Sequence, residues 1–174
     1  ANSGSSAAAG LNYYYKNYCS VHISQVGCSV NMPSPLPRIG KTKRVSTPFK
    51  VRYANNYCSL SYTMAFYGEE EWQKELDYYA LQGVNVFLDI TAIEEVWRRF
   101  LLKLGYPQEK AIAFLPGPAY YAWFCMANLY STGAPLPPGY FKKRTDLARK
   151  NHLFMRRMGM SPVFQGYNGM VPTD

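Results

Sequence analysis

No stretch of this sequence approaches the roughly 18 to 20 consecutive apolar residues that a helix needs to cross a bilayer, so no membrane span is expected. Histidine is nearly absent, with two copies, and the four cysteines, Cys19, Cys28, Cys58 and Cys125, show neither C-x-x-C spacing nor a companion His cluster. That pattern speaks against a zinc site. It leaves two readings for the cysteines: a Cys19–Cys28 disulfide, or four buried free thiols acting as small apolar residues. Acidic residues are scarce as well, 11 against 19 Lys and Arg, for a net charge of +8. Such an excess fits an acidic partner such as nucleic acid, an anionic glycan or a membrane surface. The cations, however, gather in a loop-like stretch from Arg38 to Arg52 and along a helical stretch from Lys142 to Arg157, where ordinary solvated faces account for them. No RNA- or DNA-binding motif accompanies them, and no nucleic-acid partner is expected. The first ten residues, Ala1 to Gly10, are small and polar and lack the basic-then-apolar pattern of a cleavable signal.

What the sequence holds in quantity is aromatic surface. Sixteen Tyr, nine Phe and three Trp make up 16% of the chain. Such rings suit stacking on sugar faces, and they suit ordinary cores equally well. With 48% hydrophobic and 17% charged residues over 174 positions, the chain is globular and large enough for a buried core.

Along the chain, a Gly/Ser turn leads into an aromatic helix from about Ala7 to Tyr18 and a short extended piece at Val21 to Ser24. Pro33, Pro35, Pro37 and Gly40 mark a linker-like boundary. The β-branched and aromatic stretch from Phe49 to Phe66 predicts a strand near Tyr57 to Tyr62. Glu69, Glu70 and Glu71 after Gly68 suit a helix N-terminus; Trp72, Leu76, Tyr79 and Ala80 follow at helical spacing, and Gly83 ends the helix. Val84 to Ile90 reads as a strand covered on both faces. Thr91 to Glu94 predicts a capping box, opening a helix whose apolar stripe is Ile93, Val96, Trp97, Phe100, Leu101 and Leu104. A second helix over Gln108 to Phe114, the aromatic segment Ala119 to Met126 and the Pro135 to Gly139 cluster precede a basic helix from Phe141 to Met158. That helix turns Leu147, Phe154, Met155 and Met158 inward, Gly159 stops it, and Ser161 to Gly166 predicts another short buried strand. The order predicts an α/β protein with parallel strands. Its last strand is followed only by Tyr167 to Asp174, so the sheet is expected to be open and to belong to a larger domain.

The segment Asn56-Tyr57-Cys58-Ser59-Leu60-Ser61-Tyr62 resembles the N-x-C-(T/S)-x-S-Y signature of the α-N-acetylglucosaminidases, glycoside hydrolase family 89. The resemblance continues in order through Glu71-Trp72, Ala80-Leu81-Gln82-Gly83-Val84-Asn85, Glu94-Glu95-Val96-Trp97, Gly117-Pro118-Ala119 and Ala122-Trp123. It runs on through Met126-Ala127-Asn128-Leu129, Gly133-Ala134-Pro135-Leu136-Pro137, Met158 to Val163 and Gly169-Met170-Val171-Pro172. No single piece decides the matter; the shared order does. The resemblance implies residues 1–45 as the end of a small N-terminal α/β domain with its linker. It implies residues 46–174 as the first three strands of a (β/α)8 TIM barrel, whose remaining strands would be a partner to these. In such barrels the chemistry gathers at the C-terminal strand ends, where Tyr62, Thr91 and the Gln165 to Asn168 turn fall on this strand assignment.

By the same resemblance Asn56, Cys58, Tyr62, Trp123 and Met126 match pocket-lining positions. The first would bring an amide for sugar hydroxyls and the rest apolar or aromatic walls. For each, core packing is the competing reading. The reaction implied is exo-acting, retaining removal of terminal α-linked N-acetylglucosamine from heparan- or mucin-type glycans. It needs two carboxyls roughly 5 Å apart and no cofactor. Both family glutamates would lie on later strands, so no catalytic residue is assigned here. Glu69 to Glu71, Glu75, Glu94 and Glu95 read as capping or surface residues, and Asp89, at a strand end, is the one carboxylate to watch. By the resemblance, a secreted or cell-surface protein is expected if the source is bacterial, and a lysosomal one if it is animal. The alternative function is non-catalytic carbohydrate binding.

Overall fold

The computed structural model describes residues 2–133 and 135–173. Ala134, inside the Gly133 to Pro137 motif, lies outside the described residues with Ala1 and Asp174. The chain runs α1 (Gly4–Tyr18), β1 (His22–Ile23), β2 (Cys28–Ser29), β3 (Tyr53–Ala54), α2 (Tyr57–Ser61), α3 (Glu69–Leu81) and β4 (Val86–Leu88). It continues α4 (Ile93–Lys103), α5 (Gln108–Phe114), a 3-10 turn (Pro118–Tyr120), α6 (Tyr121–Cys125), α7 (Tyr140–Met158) and β5 (Ser161–Val163).

β1 and β2 form a small antiparallel pair, apart from the main sheet. β3, β4 and β5 form a parallel sheet in that order, with Tyr53 opposite Val86 and Val86 opposite Ser161. The strand order follows the chain order. Crossovers of the usual right hand therefore lay both helical connections on one face, as in a barrel and unlike a doubly wound sheet. The packing agrees. Phe87 of β4 meets Trp72 and Tyr79 of α3 edge-on, at ring-centroid distances of 6.2 and 5.1 Å. Trp72, Leu76, Phe87, Leu101, Leu115, Phe124 and Met155 join one continuous core. Truncating one such buried aromatic costs about 3–5 kcal/mol.

The helices follow their sequence signals closely. In α3 the Gly68 N–H donates to Glu71 Oε2 at 2.9 Å, Trp72, Leu76 and Ala80 are buried, and Gly83 follows at φ 77°. α1 starts earlier than the expected Ala7, because Ser3 is extended and accepts the Ser6 N–H at 3.2 Å as N-cap. Its side face reaches α3, where Asn12 Nδ2 donates to Leu81 O at 2.9 Å and satisfies a C-terminal carbonyl. Its first turn meets α7 so closely that a Cβ on Gly4 would lie 2.7 Å from Met158 Cα.

Several expectations are corrected. The segment Tyr57 to Tyr62 is helical; the strand lies just before it, at Tyr53–Ala54. Asn55 takes the left-handed conformation, φ 76°, and Asn56 caps the helix by accepting the Ser59 N–H at 3.0 Å. Both are conformations asparagine favours, and they override the β propensity around them. Thr91 does not cap α4. The N-cap position is Ala92 at φ 64°, and Asp89 Oδ1 takes the Thr91 N–H at 2.7 Å, leaving the Thr91 hydroxyl without a partner among the described residues. Glu75, Glu94 and Glu95, expected at caps or on the surface, are buried. The strand Ser161–Val163 is shorter than expected, and Val163 and Phe164 are exposed, because among the described residues no strand pairs with its outer edge. All four cysteines are free, which removes the Cys19–Cys28 disulfide; Cys19 and Cys125 are buried, but Cys28 and Cys58 are exposed.

Candidate functional site

The loops that follow β3, β4 and β5 converge, and the five residues singled out from the sequence lie on the first two. β3 ends at Ala54, and Asn55 folds back so that its amide donates to Leu88 O of β4 at 3.2 Å. The chain then enters α2, a single short helix that carries Cys58 on its exposed side and ends at Tyr62, 67% exposed. After β4, the long excursion through α4, α5 and the 3-10 turn delivers α6, with Trp123 half-buried and Met126, 40% exposed, at its C-cap.

Tyr62 and Trp123 meet edge to face, ring centroids 5.2 Å apart and planes at 83°. Cys58 sits one helical turn before Tyr62, and Met126 three positions after Trp123, so each flanks its aromatic partner. The structure therefore brings Tyr62 and Trp123 together, places Cys58 and Met126 about one turn away along the same two helices, and stations Asn56 at the start of α2. Asn56 has one hand occupied: its Oδ1 accepts from the Ser59 N–H and, at 3.3 Å, the Ser59 hydroxyl, which leaves Nδ2 as the outward donor.

Three further side chains hold these walls, and sequence reasoning missed them as site residues. Ser61, 2% exposed at the end of α2, accepts the Ala122 N–H at 2.7 Å and so ties α2 to α6. Gln165, beyond β5, accepts from the Tyr57 hydroxyl of α2 and donates to Cys125 O of α6 at 3.3 Å. Asn168 Nδ2 donates to Phe124 O. The position of the Gln165 to Asn168 turn at a strand end is the sequence hint to the last two, and Ser61 carries none.

The nearby acids do not face this surface. Asp89 is wholly buried in the layer between sheet and helices, the same side as Phe87 two residues earlier; Oδ1 accepts the Thr91 N–H and Oδ2 pairs with His152 Nε2 of α7 at 2.9 Å. Glu94 lies 3.5 Å from Arg144 Nε. Burial pushes its carboxyl above the usual range, and the Arg144 charge offsets only part of that. Glu94 and, more strongly, burial push the Cys125 thiol up to about 12, which makes it inert as a nucleophile. The five site residues contribute no carboxylate, and among the described residues no cluster of three or more His, Cys, Asp or Glu is placed to hold a metal. A separate cleft of about 740 Å³ opens between the 65–69 loop, the 135–140 segment and α7, lined by Phe66, Tyr67, Leu136, Tyr140 and Lys143 among others. None of the five lines it.

A sequentially wound parallel sheet, with the loops beyond its strands gathered together, is the arrangement of the β/α-barrel class of proteins. Residues 52–174 match the alpha-N-acetylglucosaminidase (NAGLU) TIM-barrel domain model and residues 1–38 match the N-terminal domain model of the same family. The chain belongs to the α-N-acetylglucosaminidase family. It is 36% identical over 169 residues to human alpha-N-acetylglucosaminidase, spanning 97% of this chain and 23% of that protein. It is 46% identical to the family 89 glycoside hydrolase of Clostridium perfringens solved with 2-acetamido-1,2-dideoxynojirmycin, with a TM-score of 0.96 over 98% of this chain and 20% of that one. A variant of the Clostridium perfringens enzyme with two glutamates changed to glutamine, solved with its substrate GlcNAc-α-1,4-galactose, matches with a TM-score of 0.95 at 46% identity, over 98% of this chain and 19% of that one. The chain thus spans about a fifth of the length of these relatives.

Proposed function

We propose that this chain is part of an exo-acting, retaining glycoside hydrolase that removes terminal α-linked N-acetylglucosamine from heparan- or mucin-type glycans. In this reading residues 46–174 are the first three strands of a (β/α)8 barrel, residues 1–45 close the preceding domain, and a bacterial protein of this kind works at the cell surface or outside the cell. The carrying observation is the Tyr62–Trp123 corner, flanked by Cys58, Met126 and the Asn56 amide, at the C-terminal strand ends. The exposed aromatic surface of this corner offers an apolar seat for the flat side of a pyranose, the thiol and thioether a turn away extend it, and the amide donor meets a hydroxyl. The relatives' complexes with an amino-sugar inhibitor and with GlcNAc-α-1,4-galactose support an N-acetylglucosamine ligand for this seat.

Retaining hydrolysis requires one carboxyl with a raised pKa to protonate the leaving oxygen and an ionised one to attack the anomeric carbon, about 5 Å away. Asp89 and Glu94, engaged inside the helix layer, supply neither, so the reading assigns both roles to residues outside 1–174. The chain's own part is to bind and orient. The test compares the full-length protein containing these residues with the 174-residue chain, using an aryl α-N-acetylglucosaminide. Hydrolysis by the former alone is expected, and Trp123→Ala should raise its KM about tenfold, the equivalent of one lost stacking contact of roughly 1.4 kcal/mol. Turnover by the 174-residue chain alone would overturn the division of labour. Sugar binding without hydrolysis by the full-length protein would favour the non-catalytic carbohydrate-binding reading.

A further inference from the structure

Gln165 is a side chain from a third loop that hydrogen-bonds to both walls of the candidate pocket. It comes from the loop after β5, yet its two ends bond to α2, through Tyr57, and to α6, through Cys125. The chemistry fixes which end goes where. A carbonyl can only accept, so the Gln165 Nε2 must face Cys125 O; Oε1 then faces Tyr57, whose hydroxyl must donate. Burial pushes the Tyr57 hydroxyl above its ordinary range, with the Cys125 thiol adding to the effect, and that keeps the donor proton in place. Tyr57 starts α2, whose C-cap is Tyr62, and Cys125 lies two residues after Trp123. The Gln165 amide therefore spans the base of the corner that Tyr62 and Trp123 form 5.2 Å apart.

We infer that Gln165 is a positioning residue that sets the spacing of the two aromatic walls, and so the affinity for the sugar, without touching the sugar itself. The inference rests on the glycosidase reading above. Loosening the strut weakens ground-state and transition-state binding alike, so its loss raises KM and leaves kcat in place.

Q165E gives a test that a general packing role does not pass. The introduced carboxyl keeps the side-chain shape. When protonated it can donate to Cys125 O and accept from Tyr57 as the amide does; when ionised it cannot donate and faces the carbonyl with like polarity. The full-length protein and its Q165E and Y57F variants are assayed on an aryl α-N-acetylglucosaminide from pH 4 to 7, each variant's KM being divided by the wild-type value at the same pH. For Q165E the ratio should lie within about twofold of unity near pH 4 and rise to about tenfold by pH 7, titrating from the ordinary Glu value of roughly 4.3 upward, with kcat within about twofold throughout. Y57F, which loses only the donor to Oε1, should raise KM about threefold at every pH. A Q165E ratio that stays flat with pH, or a loss carried by kcat, overturns the inference while the wild type remains active. A wild type that neither hydrolyses nor binds the sugar overturns the glycosidase reading, and this inference with it.

Discussion

Helices α3 and α4 both open on a run of glutamates, yet Glu69, paired with Lys150 of α7, and Glu70 are exposed while Glu94 and Glu95 are only 3% and 8% exposed. At α3 the acids face the positive end of the helix dipole from the solvent side, an effect worth about 0.3–1 kcal/mol. At α4 the start of the helix is roofed by α7, whose Arg144 lies 3.5 Å from Glu94 and donates to Tyr67 O at 3.3 Å. The two buried acids also differ from each other. Burial lifts the Glu94 carboxyl, whereas hydrogen bonds from Arg98 at 2.6 and 2.9 Å and from Arg99 at 2.7 Å hold Glu95 below the ordinary carboxylate range. The same short pattern of acids thus carries three different meanings, decided by what packs over it.

The contrast between α3 and α4 can be broken most forcefully at Glu94. Glu94→Ala leaves the half-buried Arg144 without its neighbouring carboxyl and should destabilise the folded protein by about 3 kcal/mol in urea unfolding, while Glu69→Ala stays below about 1 kcal/mol. A double Glu94→Met, Arg144→Met variant should recover most of that loss, because a well-packed apolar pair replaces a loose ionic one.

The difference between Glu94 and Glu95 is sharpened by pH. The folded pKa of Glu94 lies above its unfolded value of roughly 4.3, so its stabilising contribution is full below that value and is lost as pH rises through the folded pKa. Glu95 runs the other way, stabilising above roughly pH 4.3 and losing its contribution as pH falls through its depressed folded value. Urea unfolding from pH 3 to 8 should find Glu94→Gln flattening the decline on the neutral side and Glu95→Gln flattening the decline on the acid side. The smallest effect belongs to α3, where Glu70→Gln should change stability by no more than a few tenths of a kcal/mol, measured the same way.

The elements legible in the sequence are those whose signal is periodic and local. Trp72, Leu76 and Ala80 announce the inward face of α3, Gly83 and Gly159 announce helix ends, and the apolar run around Val86 to Leu88 announces the central strand. α2 was misread because its cause is two residues, not a pattern: Asn55 in the left-handed conformation and Asn56 at the cap outweigh the aromatic and β-branched neighbours that spell strand. The Tyr62–Trp123 corner joins residues from two separate loops, and only a family resemblance pointed to both. Ser61 and Gln165 are harder still. Their importance lies in partners on other loops, Ala122 for the first and Tyr57 with Cys125 for the second, and nothing in the surrounding sequence names those partners. Glu94 fails for the same reason, since its burial is created by α7.

The near-touch of Gly4 and Met158 bears on how the chain is made. The two positions are about 150 residues apart, so the start of α1 finds its seat only after the ribosome has delivered the end of α7. At translation speeds of ~5–20 residues per second the wait is about 8 to 30 s, during which that first turn is free to meet chaperones or other chains. The α1 helix can settle on α3 well before α7 exists, but its first turn docks late, and a side chain at position 4 would bar that last contact.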